Sequence, residues 1–207
     1  MRLGQHISFC GLAILLSVGS STAADLSKAQ KAYKQSDYAI ALKELTPLAE
    51  HGNPEAQLLL GRMYLMGQGV SRDSDQAMKW FRASADQGNA DAQFFTGSYY
   101  LLPRRDIPEG LRWLRLSAEQ GNQDAQLLLG RTYAEGIAEA ARDAVQAEMW
   151  LRLAAKDNLP FYASQLAAAE QGMTPEEIER GKALAAAWKA KSNLRAADNP
   201  QSNSESR

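Results

Sequence analysis

The chain has 207 residues, 45% of them hydrophobic and 23% charged, with a formal net charge of −1. That length can bury a core without disulfides or metals. A near-zero charge supplies neither the broad basic face that nucleic acid requires nor the acidic mass of a solvating tail.

Residues 1–24 read as a targeting segment. Arg2 supplies the positive charge, Ile7 to Val18 form a 12-residue apolar stretch, and Ser20-Ser21-Thr22-Ala23-Ala24 offers small residues for cleavage. The stretch is too short to span a bilayer, which takes about 20 residues. Cys10 lies inside it rather than after a small residue, which argues against a lipid anchor. Cleavage after Ala24 leaves a chain without cysteine, with His51 as its one histidine and a charge of −2. Such a chain would be exported, periplasmic or secreted, and held together by packing alone.

Internal repetition dominates the rest of the chain. Asn53-Pro-Glu-Ala56-Gln57-Leu-Leu-Leu-Gly61-Arg-Met-Tyr64 aligns with Asn89-Ala-Asp-Ala92-Gln93-Phe-Phe-Thr-Gly97-Ser-Tyr-Tyr100 and with Asn122-Gln-Asp-Ala125-Gln126-Leu-Leu-Leu-Gly130-Arg-Thr-Tyr133. A second segment repeats in step, as Ala77-x-x-Trp80-x-x-x-x-Ala85, Gly110-x-x-Trp113-x-x-x-x-Ala118 and Ala147-x-x-Trp150-x-x-x-x-Ala155. Spacing within the segments is constant. Between them it varies, with 12 residues from Gly61 to Asp73, 9 from Gly97 to Asp106 and 13 from Gly130 to Asp143. Loops tolerate insertions and packed helices do not, so the unit is a helix pair, A then B, of 33–37 residues.

Boundary residues agree with that reading. Gly52, Gly88 and Gly121 suit the left-handed residue that closes a helix, and Asn53, Asn89 and Asn122 can cap the next. Asp73/Gln76, Asp106/Glu109 and Asp143/Gln146 resemble capping boxes in front of the B helices. Residues 25–52 form a divergent first unit, with Ser36-Asp37 as its turn. Units then span 53–88, 89–121 and 122–157, and a C-terminal cap spans 158–191. Within the cap, Thr174-Pro175-Glu-Glu177 starts a helix that should run through Trp188 to about Lys191, and 192–207 is expected to be a disordered tail. Glycine in mid-helix costs about 1 kcal/mol relative to alanine. Its recurrence at 61, 97 and 130 therefore predicts a close crossing by helix B, with Trp80, Trp113 and Trp150 filling the space between helices.

The recurring Ala-Gln-x-Leu-x-Gly-x-x-Tyr, the Gly67-x-Gly69-Val70 turn and the Ala-x-x-Trp-x-x-x-x-Ala-x-x-Gly segment resemble the Sel-one-like repeat family, a branch of the tetratricopeptide-like α-solenoids, over roughly residues 28–191. Met149-Trp-Leu-Arg-Leu-Ala-Ala155, followed by Thr174-Pro-Glu-Glu and Ala185-x-x-Trp188, resembles the ending of many bacterial members. The second repeat departs from the pattern, with Pro103-Arg104-Arg105 in place of the glycine turn, and the third keeps only Gly136. The resemblance implies an all-α, right-handed solenoid of helix pairs that binds a partner protein.

Chemistry-bearing motifs are scarce. There is no His-Glu-x-x-His, Cys-x-x-Cys or Ser-x-x-Lys, and Gly67-x-Gly69 lacks the strand and third glycine of a phosphate loop. The expectation is no enzyme, no cofactor and no metal, with a protein partner, no nucleic acid and no stable membrane insertion. In related solenoids the A helices line the concave face. Positions after the A-helix glycine that differ between units are thus the candidate contact set: Arg62, Met63 and Met66; Ser98, Tyr99 and Leu102; Arg131, Thr132 and Glu135. Arg104 and Arg105 form a second candidate patch. The rival readings are an envelope protein that binds or hydrolyses cell-wall glycan through paired carboxylates, and a secreted effector that binds a host protein.

Overall fold

A computed structural model describes residues 14–101, 106–136, 142–157 and 159–198, leaving aside the side chains of 14–22, 24 and 189–198. The described residues form α-helices and no strand: α1 (Ile14–Lys34), α2 (Tyr38–Glu50), α3 (Pro54–Met66), α4 (Ser74–Asp86), α5 (Ala90–Tyr100), α6 (Ile107–Glu119), α7 (Gln123–Glu135), α8 (Ala144–Ala154), α9 (Pro160–Glu170) and α10 (Pro175–Asp198). The fold is all-α, built of successive helix pairs in the manner of an α-solenoid. It divides into two compact units, Met1–Gln87 and Gly88–Arg207.

Local chemistry explains where each helix begins. The side chains of Asn53, Asn89 and Asn122 accept from the backbone N–H of Ala56, Ala92 and Ala125, each at 2.9 Å. Asp73, Asp106 and Asp143 do the same for Gln76, Glu109 and Gln146 at 2.9–3.0 Å. Each such cap stabilises its helix by about 1 kcal/mol. Thr174 and Glu177 form a complete capping box, with the Thr174 N–H donating to Glu177 Oε2 at 2.7 Å and the Glu177 N–H to Thr174 Oγ1 at 3.2 Å. The glycines before the A-helix caps stand at φ +88°, +91° and +92°, a left-handed geometry that only glycine adopts without strain.

In the first unit, α1 and α2 form a hairpin. Asp37 caps α2 through the Ile40 N–H at 3.2 Å, and an exposed Lys28–Glu44 pair at 2.8 Å joins the two helices. Ala29, Ala41, Leu45, Ala56, Leu60 and Met63 form the core beneath. A methyl added to Gly61 would stand 2.5 Å from the Phe81 ring, so α4 crosses α3 in direct contact with its backbone.

The second unit repeats this crossing twice. A methyl on Gly97 would meet Leu114 Cγ at 2.8 Å, and one on Gly130 would meet Leu151 Cγ at 2.6 Å. Leu114, Ala118, Ala125, Leu129, Met149, Trp150 and Ala185 form its main core, with Trp188 against Trp150 at a centroid distance of 5.5 Å.

Three expectations are corrected here. The side chain filling each glycine is Phe81, Leu114 or Leu151, one residue after the tryptophan. Trp113 and Trp150 are buried beside the crossing, but Trp80 is only partly buried. The last helix continues to Asp198, beyond Lys191, because Leu194, Arg195, Ala196 and Ala197 are helix formers and the first strong stop is Pro200. Residues 199–207 of the expected tail and 1–13 of the targeting segment lie outside the described residues.

Candidate functional site

Polar groups that recur between repeats act inside the fold. Gln57 Nε2 donates to the Ala49 carbonyl at 3.1 Å, and Gln126 Nε2 to the Ala118 carbonyl at 3.0 Å, each tying an A helix to the end of the preceding B helix. Ser84 Oγ donates to the Pro54 carbonyl at 2.7 Å, and Ser117 Oγ to Ala90 at 2.6 Å. Gln87 and Gln120 donate to the side-chain oxygens of Gln57 and Gln93, both at 2.8 Å. Gln57, Gln93, Gln126, Ser84 and Ser117 are buried, and bonds of this kind fix how one helix stacks on the next. The buried five are unavailable to a partner, while Gln87 and Gln120 keep exposed surface.

Residues that differ between repeats behave otherwise. In the first unit, Arg62 is half-buried and Met66 is 64% exposed. In the second, Ser98 and Tyr99 are half-buried, and the Tyr99 ring sits edge-on to Tyr100 at 5.9 Å. Arg131 and Glu135 are exposed and pair across one helical turn at 3.4 Å, an interaction that contributes under about 1 kcal/mol. Arg115 donates to the Tyr133 hydroxyl at 2.6 Å on the same stretch. Two members of the set are core instead. Met63 and Thr132 are 0% exposed, and the Thr132 hydroxyl donates to the Leu128 carbonyl at 2.8 Å. Both stand two residues after the A-helix glycine and their full burial keeps them from a partner, whereas Tyr99 at the same offset is only half-buried. Leu102, Arg104 and Arg105 lie outside the described residues.

Sequence reasoning missed a charged cluster at the C-terminal end. Glu148 on α8 is fully buried, with Arg152 Nε donating to its Oε1 at 2.6 Å and Arg152 also reaching Glu170 of α9 at 2.7 Å. Gly181 of α10 presses directly on the Glu148 side chain, so that α10 lies over a buried carboxylate whose Oε2 has no hydrogen-bond partner among the described residues. Burial pushes the Glu148 carboxyl up from its ordinary range, while Arg152 pulls it partly back. The i,i+4 spacing of Glu148 and Arg152 was the available signal.

Two shallow clefts flank these elements. One, of about 400 Å³, lies between α8 and α9 and is lined by Arg152, Lys156, Ala163, Leu166 and Ala167 among others. The other, of about 300 Å³, runs along α6 past Pro108, Leu111 and Arg115. Among the described residues, no cluster of three or more His, Cys, Asp or Glu could hold a metal, and no helix is long and apolar enough to cross a membrane.

The family description Sel1 repeat matches residues 54–89, 90–122 and 123–159, just over half of the chain. Among solved structures, the chain is similar to a Sel1 repeat protein from Oxalobacter formigenes, at 29% identity and a TM-score of 0.65, over 72% of this chain and 60% of that one. It is also similar to c5321, a protective antigen of uropathogenic Escherichia coli strains with an SLR fold. There the identity is 30% and the TM-score 0.67, over 90% of this chain and 41% of the antigen. The chain thus spans less than two thirds of the length of either relative. The comparison with curated proteins gave no match.

Proposed function

The chain belongs to the Sel1 repeat family, whose repeats are generally protein–protein interaction modules, and from that premise we propose that it is an exported scaffold or adaptor binding a protein partner in the bacterial envelope, without catalysis. The observation that carries this reading is the division of labour along the repeats. Recurring Gln, Ser, Asn and Gly positions serve stacking and capping, whereas the varying positions Arg62, Met66, Tyr99, Arg131 and Glu135 retain surface. Solenoids bind in this way, with stacking positions held constant and the free surface varying. The apolar segment before Ala24 and the absence of cysteine after it support export with packing as the sole source of stability. One solved relative being a protective antigen is in keeping with an envelope location.

The test is affinity capture of residues 25–207 from crosslinked cell envelope, beside a variant carrying Met66→Ala, Tyr99→Ala and Arg131→Ala. One protein enriched by the parent and lost with the variant is the expected result. Binding or cleavage of purified cell-wall glycan, with no protein enriched, would replace the adaptor reading with the glycan one.

A further inference from the structure

The repeats share a register that the last helices do not complete. Counting from the first residue of each helix, the eighth residue of the A helix in each of the three repeats is glycine: Gly61 in α3, Gly97 in α5 and Gly130 in α7. The eighth residue of the following B helix sits on it: Phe81 in α4, Leu114 in α6 and Leu151 in α8. α9 is an A helix in the same register. It begins at Pro160 as α3 begins at Pro54, and its eighth residue is again small, Ala167. The helix that should cover it goes elsewhere, since α10 packs along α8 and crosses it at Gly181 over Glu148.

α9 is therefore left half-dressed. Tyr162, Leu166 and Ala169 pack against Leu127, Leu151 and Ala154, and Tyr162 donates to Asp124 at 2.7 Å. No residue of α9 is buried, although most are apolar. Phe161 is 59% and Leu159 48% exposed, and Ala163 and Ala167 line the open cleft against α8. Charge at the cleft is specific too. Arg152 is held by Glu148 and Glu170, and Lys156 stands exposed on the rim. Lys156 stands five residues after Leu151. At that offset the other two B helices carry acids, Asp86 after Phe81 and Glu119 after Leu114.

We infer that the α8–α9 cleft is a docking slot for one amphipathic helix of a protein partner, taking the place of the missing B helix. That helix sets a leucine or phenylalanine on Ala167 and, five residues later, an acid beside Lys156. The inference rests on the adaptor reading and adds a second contact surface to it, separate from the varying A-helix positions. An apolar helix seated in a groove by one large anchor is a common mode of recognition, and a neighbouring acid–lysine pair adds orientation more than affinity.

The test uses the full mature chain and a fluorescent peptide of residues 106–120, stapled on its outer face to hold it helical, because this segment carries Leu114 and Glu119 in the required register. Saturable binding should weaken about ten-fold in Ala167→Arg, the loss expected when an anchor loses its pocket. Ala163→Arg, with its own thermal melt, guards against misfolding of the first variant. Lys156→Glu should weaken binding less, and a peptide carrying Glu119→Lys should restore it. Equal binding by the parent and both arginine variants, or no saturable binding by the parent, overturns the slot. So does self-association of the chain that Ala167→Arg abolishes, because the occupant would then be a second copy. A captured envelope partner unaffected by Ala167→Arg leaves the adaptor reading intact and removes only this slot.

Discussion

Helices α5 to α8 and helices α9 and α10 belong to one compact unit, yet they solve the same packing problem in opposite ways. In α5–α8 the A-helix glycines Gly97 and Gly130 are each filled by an aliphatic chain of the B helix, and Gly110 of α6 lies against the α5 backbone in turn. At the C-terminal end the glycine lies on the incoming helix α10, and the group beneath it is the charged side chain of Glu148. An aliphatic filler can be buried with no further requirement. A carboxylate needs a counter-charge, and Arg152 supplies it while tying in Glu170 of α9. The regular pairs are thus closed by shape, and the terminal helices by shape plus a charge cluster. Among the described residues, the second arrangement leaves the apolar helix α9 without a buried residue.

That contrast sets the size of each expected effect. Trp113→Ala removes a 3% exposed side chain whose Nε1 donates to Glu109 at 2.7 Å. It should lower stability by about 3–5 kcal/mol in denaturant unfolding. Phe161→Ala, on the uncovered helix, should change it by less than about 0.5 kcal/mol; a comparable loss at both sites would erase the distinction between closed and open pairs. Gly97→Ala should cost about 1–3 kcal/mol by overpacking, because its methyl would stand 2.9 Å from the Gly110 carbonyl oxygen and the Leu114 nitrogen, backbone atoms that cannot swing aside. Asn122→Ala removes one cap and should cost about 1 kcal/mol.

The smallest effect is a dependence on pH. Burial raises the folded-state value of Glu148 above the ordinary 4.5, so protonation favours the folded form. The stability this group contributes is fully present below 4.5 and is lost as the pH rises through the raised value. Glu148→Gln should therefore gain stability relative to the parent as the pH rises from about 4.5 towards neutrality. A difference that stays flat, or grows towards acid, would show that the Arg152 pair outweighs burial.

Much of the regular region was legible because its signals are local. A cap needs one side chain and the backbone three residues on, and Asn53, Asn89, Asn122, Asp73, Asp106 and Asp143 all take that part. What sequence could not separate was neighbours on a helix face. Tryptophan and the residue after it both point inward, and only the crossing geometry selects Phe81, Leu114 and Leu151 for the glycines. Met63 and Thr132 varied between repeats as surface residues do, yet lie on the inward face. The beginning of α9 was illegible for a different reason. Its N-cap, Leu159, makes no side-chain cap bond, and its apolar residues run all round the helix with no polar stripe to mark a face.

The central claim is that a partner is met at the surface positions that vary between repeats. Its most direct test is site-specific photo-crosslinking in living cells, with a photoreactive amino acid placed singly at Met66, Tyr99 and Arg131 and, as a control, at exposed Lys43. The account predicts a discrete adduct with one and the same protein from the three A-helix sites and none from position 43. No adduct at any of the three, or equal adducts at position 43, would contradict it.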